Sequence, residues 1–355
     1  MNRIDRSEIE HWLREADGRR LHELWQRADA VRRECVGDEV HLRALVEASN
    51  YCGRDCGYCG LRAANTGIER YRMTHDEILE CARLAVELGC GTIVLQSGED
   101  LGLGAKWVAE LISRIRSEIQ LAVTLSLGER SEQELEQWRE AGADRYLLRF
   151  ETSNRTLFGR IHPPRTGRTA DRIAILRTLR ALGYETGSGV MIGIPGQSWS
   201  DLADDVELFR NLDLDMIGVG PFIPHPQTPL GRGRGPKPLP PEEQVPNDEL
   251  TACKVMALTR LVCPLANIPS TTALETLNPG GGREAGLVRG ANIIMPNLTP
   301  GPYRQRYEIY PGKACGCLDP VQTVADLRRR ITGLGRSVGR GRGDSANYRR
   351  RAAGR

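Results

Sequence analysis

The sequence predicts an α/β fold, a TIM-type (β/α)8 barrel that follows an N-terminal helical extension. Eight β-rich runs alternate with helical patterns, an order typical of parallel βαβ units. Glycines stand where the helices are expected to end, and 355 residues are enough for one such barrel. We therefore divide the chain into the extension (1–40), the barrel (41–330) and a basic tail (331–355).

The elements follow in order along the chain. Residues 7–35 have an amphipathic helical pattern, and helices at 74–89 and 131–142 follow two of the strands. Thr74 and Glu77 form a capping-box pattern at the start of one of these helices. The eight predicted strands lie at 41–49, 92–98, 121–128, 144–151, 184–193, 215–222, 266–273 and 291–297.

Composition excludes several classes of protein. The chain is 40% hydrophobic and 27% charged, as globular proteins are, and no apolar run is long enough for a transmembrane helix. The N-terminus lacks an apolar secretion signal, so we expect a cytoplasmic protein without a membrane partner. The net charge is +3, but residues 331–355 hold seven arginines and one aspartate. The basic character belongs to this tail, which we expect to be flexible, and no nucleic-acid partner is indicated.

Three of the ten cysteines form the most informative motif. Cys52, Cys56 and Cys59 have C-x3-C-x2-C spacing and directly follow the first predicted strand. In a barrel this is the C-terminal face, where active sites lie. Three thiolates leave one iron of a 4Fe-4S cluster without a protein ligand and therefore open to chemistry. The alternative is zinc, which would need a distant fourth ligand.

The triad resembles that of radical S-adenosylmethionine (SAM) enzymes, in which an aromatic residue, here Tyr58, precedes the last cysteine. The segments QSGED, RYLLRFET, GPFIPHP and PNLTP resemble one family in particular, the FeFe-hydrogenase maturases of HydE type. The resemblance runs from about residue 46 to residue 313. Biotin synthase and methylornithine synthase are related families.

The resemblance implies a function. In this family SAM binds the open iron, and its reductive cleavage gives a 5′-deoxyadenosyl radical. The implied substrate is a small iron–carbonyl–cyanide–cysteine complex on the way to the hydrogenase H-cluster. Implied partners are a low-potential electron donor and the other hydrogenase maturases. A radical SAM enzyme acting on an organic anion, and a non-catalytic metal-binding scaffold, are the alternatives.

Further residues are assigned to SAM by the resemblance. Tyr58 is expected near the adenine, Ser97 and Gly98 in the SAM-contacting turn after the second strand, and Arg172 near the SAM carboxylate. Thr124 is expected to point inward from the third strand. Apolar side chains of the later strands and of the turns that follow them, Met216 and Ile223 among them, are suited to hold the adenine.

Arg145, Arg149 and Glu151 occupy alternate positions of the fourth strand and therefore share one face. If that face is the barrel interior, the charges need a charged ligand or one another; the opposite phase would leave an ordinary ion pair. With the inward phase we expect Arg149 and Glu151 to bind SAM, and Arg145 to bind the anionic part of the substrate. The resemblance places the substrate-anion pocket beside Thr271 and Thr272, which Tyr303 or Tyr307 is expected to complete.

Cys315 and Cys317 depart from the family pattern. Some HydE proteins carry a second cluster on three C-terminal cysteines, whereas this chain has a C-x-C pair and no cysteine after it. Two thiolates are few for a cubane, so we expect the second cluster to be absent or labile.

Overall fold

A computed structural model describes residues 4–164, 171–313 and 319–354. It contains a curved parallel sheet surrounded by helices, as predicted. The strands are β1 (Glu39–Ser49), β2 (Thr92–Ser97), β3 (Ala122–Ser126), β4 (Arg145–Leu147), β5 (Glu185–Ile192), β6 (Met216–Pro221), β7 (Ile293–Ile294) and β8 (Ser337–Val338). The first seven run in the order β6-β5-β4-β3-β2-β1-β7, while β8 pairs with β1. The helices are α1 (Arg6–Arg14), α2 (Gly18–Val36), α3 (His75–Glu87), α4 (Ala105–Arg114), α5 (Glu132–Glu140), α6 (Arg155–Ile161), α7 (Arg172–Ala181), α8 (Trp199–Asn211), α9 (Glu249–Val262), α10 (Thr272–Leu277), α11 (Gly282–Leu287), α12 (Gly301–Arg304), α13 (Pro320–Gly333) and α14 (Ala346–Ala353).

The predicted strand at 266–273 is not a regular strand. Asn267 bridges to Met216 at the edge of the sheet, and Pro269 bridges to Ile293 in β7. These two isolated bridges join the edge strands β6 and β7 and close the wall of the barrel. Pro269 lacks an N–H group, which explains why the ladder does not continue through this segment.

Local signals in the sequence place the helix ends. Thr74 accepts a hydrogen bond from the Glu77 amide, and the Glu77 side chain accepts one from the Thr74 amide, so the predicted capping box is present at α3. The N-terminal pattern differs from the prediction because it splits into α1 and α2. Asp17 caps the second of these helices by accepting hydrogen bonds from the Arg19 and Arg20 amides.

The basic tail is ordered, contrary to the expectation of a flexible extension. It contributes β8 beside β1, and α14 follows. Arg342 donates to Asp144 at 2.6 Å, and Arg351 donates to Asp215 at 2.6 Å. The tail therefore closes the N-terminal end of the barrel through charge pairing, which does not require apolar residues.

Within the described residues, no helix is both long enough and apolar enough to cross a membrane.

Candidate active site

The cysteine triad lies in the loop that follows β1. Cys56 is buried, and Cys52 and Cys59 are half-buried. Arg70 holds the loop by donating to four backbone carbonyls, including Asn50 at 2.6 Å and Leu61 at 2.8 Å. The guanidinium thus satisfies loop carbonyls that no strand or helix pairs, and fixes the fold of the loop.

The three thiols are in surroundings suited to metal-bound thiolates. Burial raises the pKa of Cys52 and Cys56, and raises that of Cys59 to about 12. A thiol of this kind loses its proton only when a metal supplies positive charge. Polar groups lie beside two of the sulfurs: the Glu99 N–H donates to Cys52 Sγ at 3.4 Å, and His162 Nδ1 lies 3.0 Å from Cys56 Sγ.

In the described residues the triad is not arranged as a site for a single metal ion. Across residues 4–164, 171–313 and 319–354, no three His, Cys, Asp or Glu side chains converge where one metal ion would bind. A 4Fe-4S cluster does not need such convergence, since each cysteine binds a different iron. Gly98 leaves room for the loop, because a Cβ there would lie 2.2 Å from Tyr51 O and 2.8 Å from Cys52 Cβ.

A cavity of about 310 Å³ lies inside the barrel and reaches the triad at its mouth. This is within the size range of small-molecule sites. The expected site residues that line it, together with one cluster cysteine, are Tyr58, Cys59, Thr124, Arg149, Glu151, Met216, Ile223, Thr271 and Thr272.

Arg149 and Glu151 form a charged patch on the cavity wall. Arg149 Nη2 lies 3.1 Å from Glu151 Oε2 and 2.5 Å from Val190 O. Glu151 has φ = 63°, a left-handed conformation that is costly for a residue with a side chain. Strain of this kind is concentrated at ligand sites, and here it directs a carboxylate into the cavity.

Thr124 contributes a second polar group to the cavity. Its hydroxyl is buried, and no hydrogen-bond partner for it is found among the described residues. A buried hydroxyl without a partner costs free energy that a ligand would recover.

One side of the cavity is apolar and spacious. Met191, Met216, Phe222 and Ile223 line it, and all except Ile223 are buried. Gly218 also faces the cavity, and a Cβ there would have no neighbour closer than 4.0 Å. This side therefore offers room for a substrate beside an apolar surface suited to an adenine ring.

Arg145 does not line the cavity, contrary to the expectation that it binds the substrate. It is fully buried at the closed end of the barrel, where its guanidinium pairs with Glu185 and with Asp344 of the tail. It also donates to Thr92 Oγ1 at 3.0 Å and to Arg342 O at 2.9 Å. The ordered tail thus supplies the negative charge that we expected from a ligand.

Tyr303 also lies outside the cavity. Its hydroxyl donates to Glu77 at 2.6 Å, and its ring centroid lies 4.7 Å from that of Tyr71. Ile309 and Tyr310, further along the same segment, line the cavity instead. The sequence pattern did not show which tyrosine of this segment lines the cavity.

Thr271 lines the cavity and also caps α10.

Ser97 and Gly98 support the triad loop and do not line the cavity. The Ser97 hydroxyl donates to Gly98 O at 2.5 Å, and Gly98 N–H donates to Ser49 O at 3.1 Å. Gly98 packs against the backbone of Tyr51. The turn after β2 therefore contacts the loop that carries the cysteines, and does not itself line the cavity.

Arg172 belongs to a network behind the triad loop and is absent from the cavity lining. It donates to Glu129 Oε1 at 2.9 Å and to Arg149 O at 2.7 Å, and its Nη2 lies 3.1 Å from His162 Nε2. These contacts place Arg172 beside the triad loop, and its contact with the SAM carboxylate stays a prediction. Sequence reasoning missed Glu129 and His162, which carry no motif and meet only in the folded chain.

Comparisons with known proteins identify the family. The model of the Radical SAM superfamily matches residues 46–209. The [FeFe] hydrogenase maturase subunit HydE of Thermotoga maritima is 49% identical over 320 residues, which cover 89% of this chain and 87% of that protein. The chain belongs to the HydE family of radical SAM proteins.

More distant relatives surround the HydE family. The 3-methylornithine synthase of Methanosarcina acetivorans is 28% identical over 284 residues, covering 78% of this chain and 75% of that protein. The crystal structure of methylornithine synthase (PylB) aligns with a TM-score of 0.78 at 24% identity, over 96% of this chain and 95% of that one. This likeness supports the barrel fold. Membership of the HydE family implies a 4Fe-4S cluster and SAM as cofactors.

Proposed function

We propose that this chain is a radical SAM maturase of HydE type that processes a small iron–carbonyl–cyanide–cysteine complex during assembly of the FeFe-hydrogenase H-cluster. The observation that carries the proposal is the cavity, which begins at Cys59 and contains a strained carboxylate and apolar space, in a chain 49% identical to a HydE protein. The proposal includes a cytoplasmic location, where thiols stay reduced.

Cys52, Cys56 and Cys59 would hold the 4Fe-4S cluster, and SAM would bind its open iron. When bound, the cluster supplies the electron that cleaves SAM. Glu151 and Arg149 are placed to bind the charged groups of SAM, and Thr124 adds a hydroxyl from the neighbouring strand β3. Met191, Phe222 and Ile223 exclude water from the adenine side.

The substrate would lie deeper in the cavity, beside Gly218 and Thr271. Arg43 lines the closed end of the cavity, where it lies 3.8 Å from Glu185 and donates to Gly343 O at 2.9 Å, and its guanidinium would provide a donor for an anionic complex at that end. Sequence reasoning assigned this charge to Arg145, which the tail neutralises.

The substrate assignment is tested by turnover. The reconstituted protein, with SAM and a reductant, should release more 5′-deoxyadenosine when the iron complex is added. Stimulation by an organic substrate of 3-methylornithine synthase or biotin synthase, without any response to the iron complex, would favour the alternative enzyme class. No deoxyadenosine under any condition would favour the scaffold.

The proposal has one cluster per chain. Cys315 and Cys317 lie outside the described residues, and their spacing is the basis for this part. Replacing both by alanine should leave maturation intact and the iron content at about four per chain, the content of one cubane. Loss of maturation would show that the pair has a role.

A further inference from the structure

A network of charged side chains lies behind the triad loop and connects it to the barrel. Arg54, between Cys52 and Cys56 in sequence, donates to Glu99 at 2.6 Å and pairs with Glu129. Glu129 also pairs with Arg172 at 2.9 Å and lies 3.4 Å from His162 Nε2. We call Arg54, Glu99, Glu129, Arg172 and His162 the Glu129 network.

His162 is the member of the network that contacts a cysteine of the triad. It directly follows α6 and is 2% exposed. Its ring stacks on that of Phe158, with centroids 4.8 Å apart and an interplanar angle of 21°, and its Nδ1 lies 3.0 Å from Cys56 Sγ. The stacking and the buried position fix the direction in which Nδ1 points.

The partners of the other ring nitrogen determine what Nδ1 can do. Arg172 Nη2 lies 3.1 Å from His162 Nε2, and a guanidinium only donates. In the cluster-free protein, Nε2–H can also donate to Glu129, which lies 3.4 Å away, and Nδ1 then accepts from the Cys56 thiol. A cluster-bound Cys56 sulfur has no proton and only accepts, so its contact with Nδ1 requires the proton on Nδ1. In the cluster-bound protein Nε2 therefore accepts from Arg172, or donates to Glu129 if the ring is protonated, and Nδ1–H points at the sulfur.

We propose that His162 is a positioning residue that donates a hydrogen bond to the Cys56 sulfur in the cluster-bound protein and so raises the reduction potential of the cluster. The inference rests on the part of the proposed function in which Cys56 binds the cluster. Reduction adds negative charge to the cluster, and a hydrogen bond to a ligand sulfur stabilises that charge. Glu129 and Arg172 would act through His162 by holding its ring and its tautomer.

The test is a potentiometric EPR titration of the anaerobically reconstituted protein without SAM. His162→Leu should shift the midpoint potential to a more negative value, because the donor is lost. His162→Asn should restore most of the wild-type value, since its amide N–H can replace Nδ1–H. Iron and sulfide content is measured on each sample, so that a change in loading is not mistaken for a change in potential.

A matched control is available on the same loop. His225 is also buried and lies against Gly60, next to Cys59, but its Nε2 pairs with Glu308 at 3.0 Å. His225→Leu disturbs the packing of the loop without removing a donor to a sulfur, so its potential should match that of the wild type. Equal potentials for wild type and His162→Leu, or an equal shift in His225→Leu, would overturn the inference.

A second measurement tests the inference even if His162→Leu fails to load its cluster. Pulsed EPR of reduced protein labelled with ¹⁵N-histidine should show a nitrogen coupling that His162→Asn abolishes. A loaded cluster without this coupling overturns the role of His162 but leaves the proposed function standing. Failure of the wild type to load any cluster overturns both.

Discussion

Glu129 is a partly buried carboxylate in contact with Arg54, Arg172 and His162, and replacing it by glutamine removes the negative charge that balances them. Burial alone would raise the pKa of Glu129, but hydrogen bonds from His162 and Arg172, with the charges of Arg172 and Arg54, lower it from 4.5 to about 2. At 1.36 kcal/mol per pKa unit, this shift is worth about 3 kcal/mol of folding stability at neutral pH.

The sign of the pH dependence follows from the direction of the shift. A carboxylate with a lowered pKa in the folded state stabilises the fold above its unfolded pKa. That contribution is lost as the pH falls from about 4.5 towards 2. Glu129→Gln should therefore unfold about 3 kcal/mol more easily at pH 7, and the difference from wild type should fall to roughly half at pH 3.

The assay is urea denaturation of the cluster-free protein at both pH values, followed by circular dichroism. Glu132→Gln is the matched control, because Glu132 is exposed in the first turn of α5, close to Glu129 in sequence. That change should stay within about 0.5 kcal/mol of wild type. If Glu129→Gln matches Glu132→Gln at pH 7, the network does not stabilise the fold in the way we describe.

Three further changes test separate parts of the molecule. Glu151→Gln should weaken SAM binding by about 1–3 kcal/mol with iron content unchanged, and calorimetry showing wild-type affinity would contradict its role. Gly218→Leu should keep SAM affinity and lose the response of deoxyadenosine formation to the iron complex, since its side chain enters open space; a normal response would place the substrate elsewhere. Asp344→Asn should lower the free energy of unfolding by about 1–3 kcal/mol, because Arg145 loses a charged partner, and should leave SAM affinity intact. A fall in SAM affinity in this last variant would show that the tail acts on the cofactor site.

Local patterns in the sequence were sufficient for most of the fold. Alternation of strands and helices predicted the barrel, and Thr74 with Glu77 predicted the start of α3 as it is found. The prediction of a regular strand at 266–273 was wrong. The apolar and threonine residues of this segment suit a strand, but Pro269 interrupts the ladder. Such interruptions depend on which edge the neighbouring strands present, and this is a property of the folded sheet.

The tail shows why composition alone was misleading. The low content of apolar residues in the tail predicted that it is disordered. The strand ends at the closed end of the barrel present Asp144, Glu185 and Asp215, and the tail arginines and Asp344 complement the charges there. The same pairing accounts for the buried charge of Arg145. We assigned that charge to a substrate because its partner Asp344 lies about two hundred residues away in sequence.

The candidate site was predicted in part. The triad and the alternation of Arg149 and Glu151 identified the mouth and one wall of the cavity. His162 and Glu129 lie on loops without a motif, so only the folded chain brings them to Cys56 and Arg54. Residues that support a cofactor through another side chain have no spacing rule, and a single sequence does not mark them.

The central claim is that the triad holds a cluster whose open iron binds SAM. The most direct test is EPR of the anaerobically reconstituted, reduced protein with and without SAM, followed by an assay for 5′-deoxyadenosine. We predict a 4Fe-4S signal that changes on addition of SAM and deoxyadenosine in the product mixture. A cluster signal indifferent to SAM, or no cluster on the triad, would contradict the account.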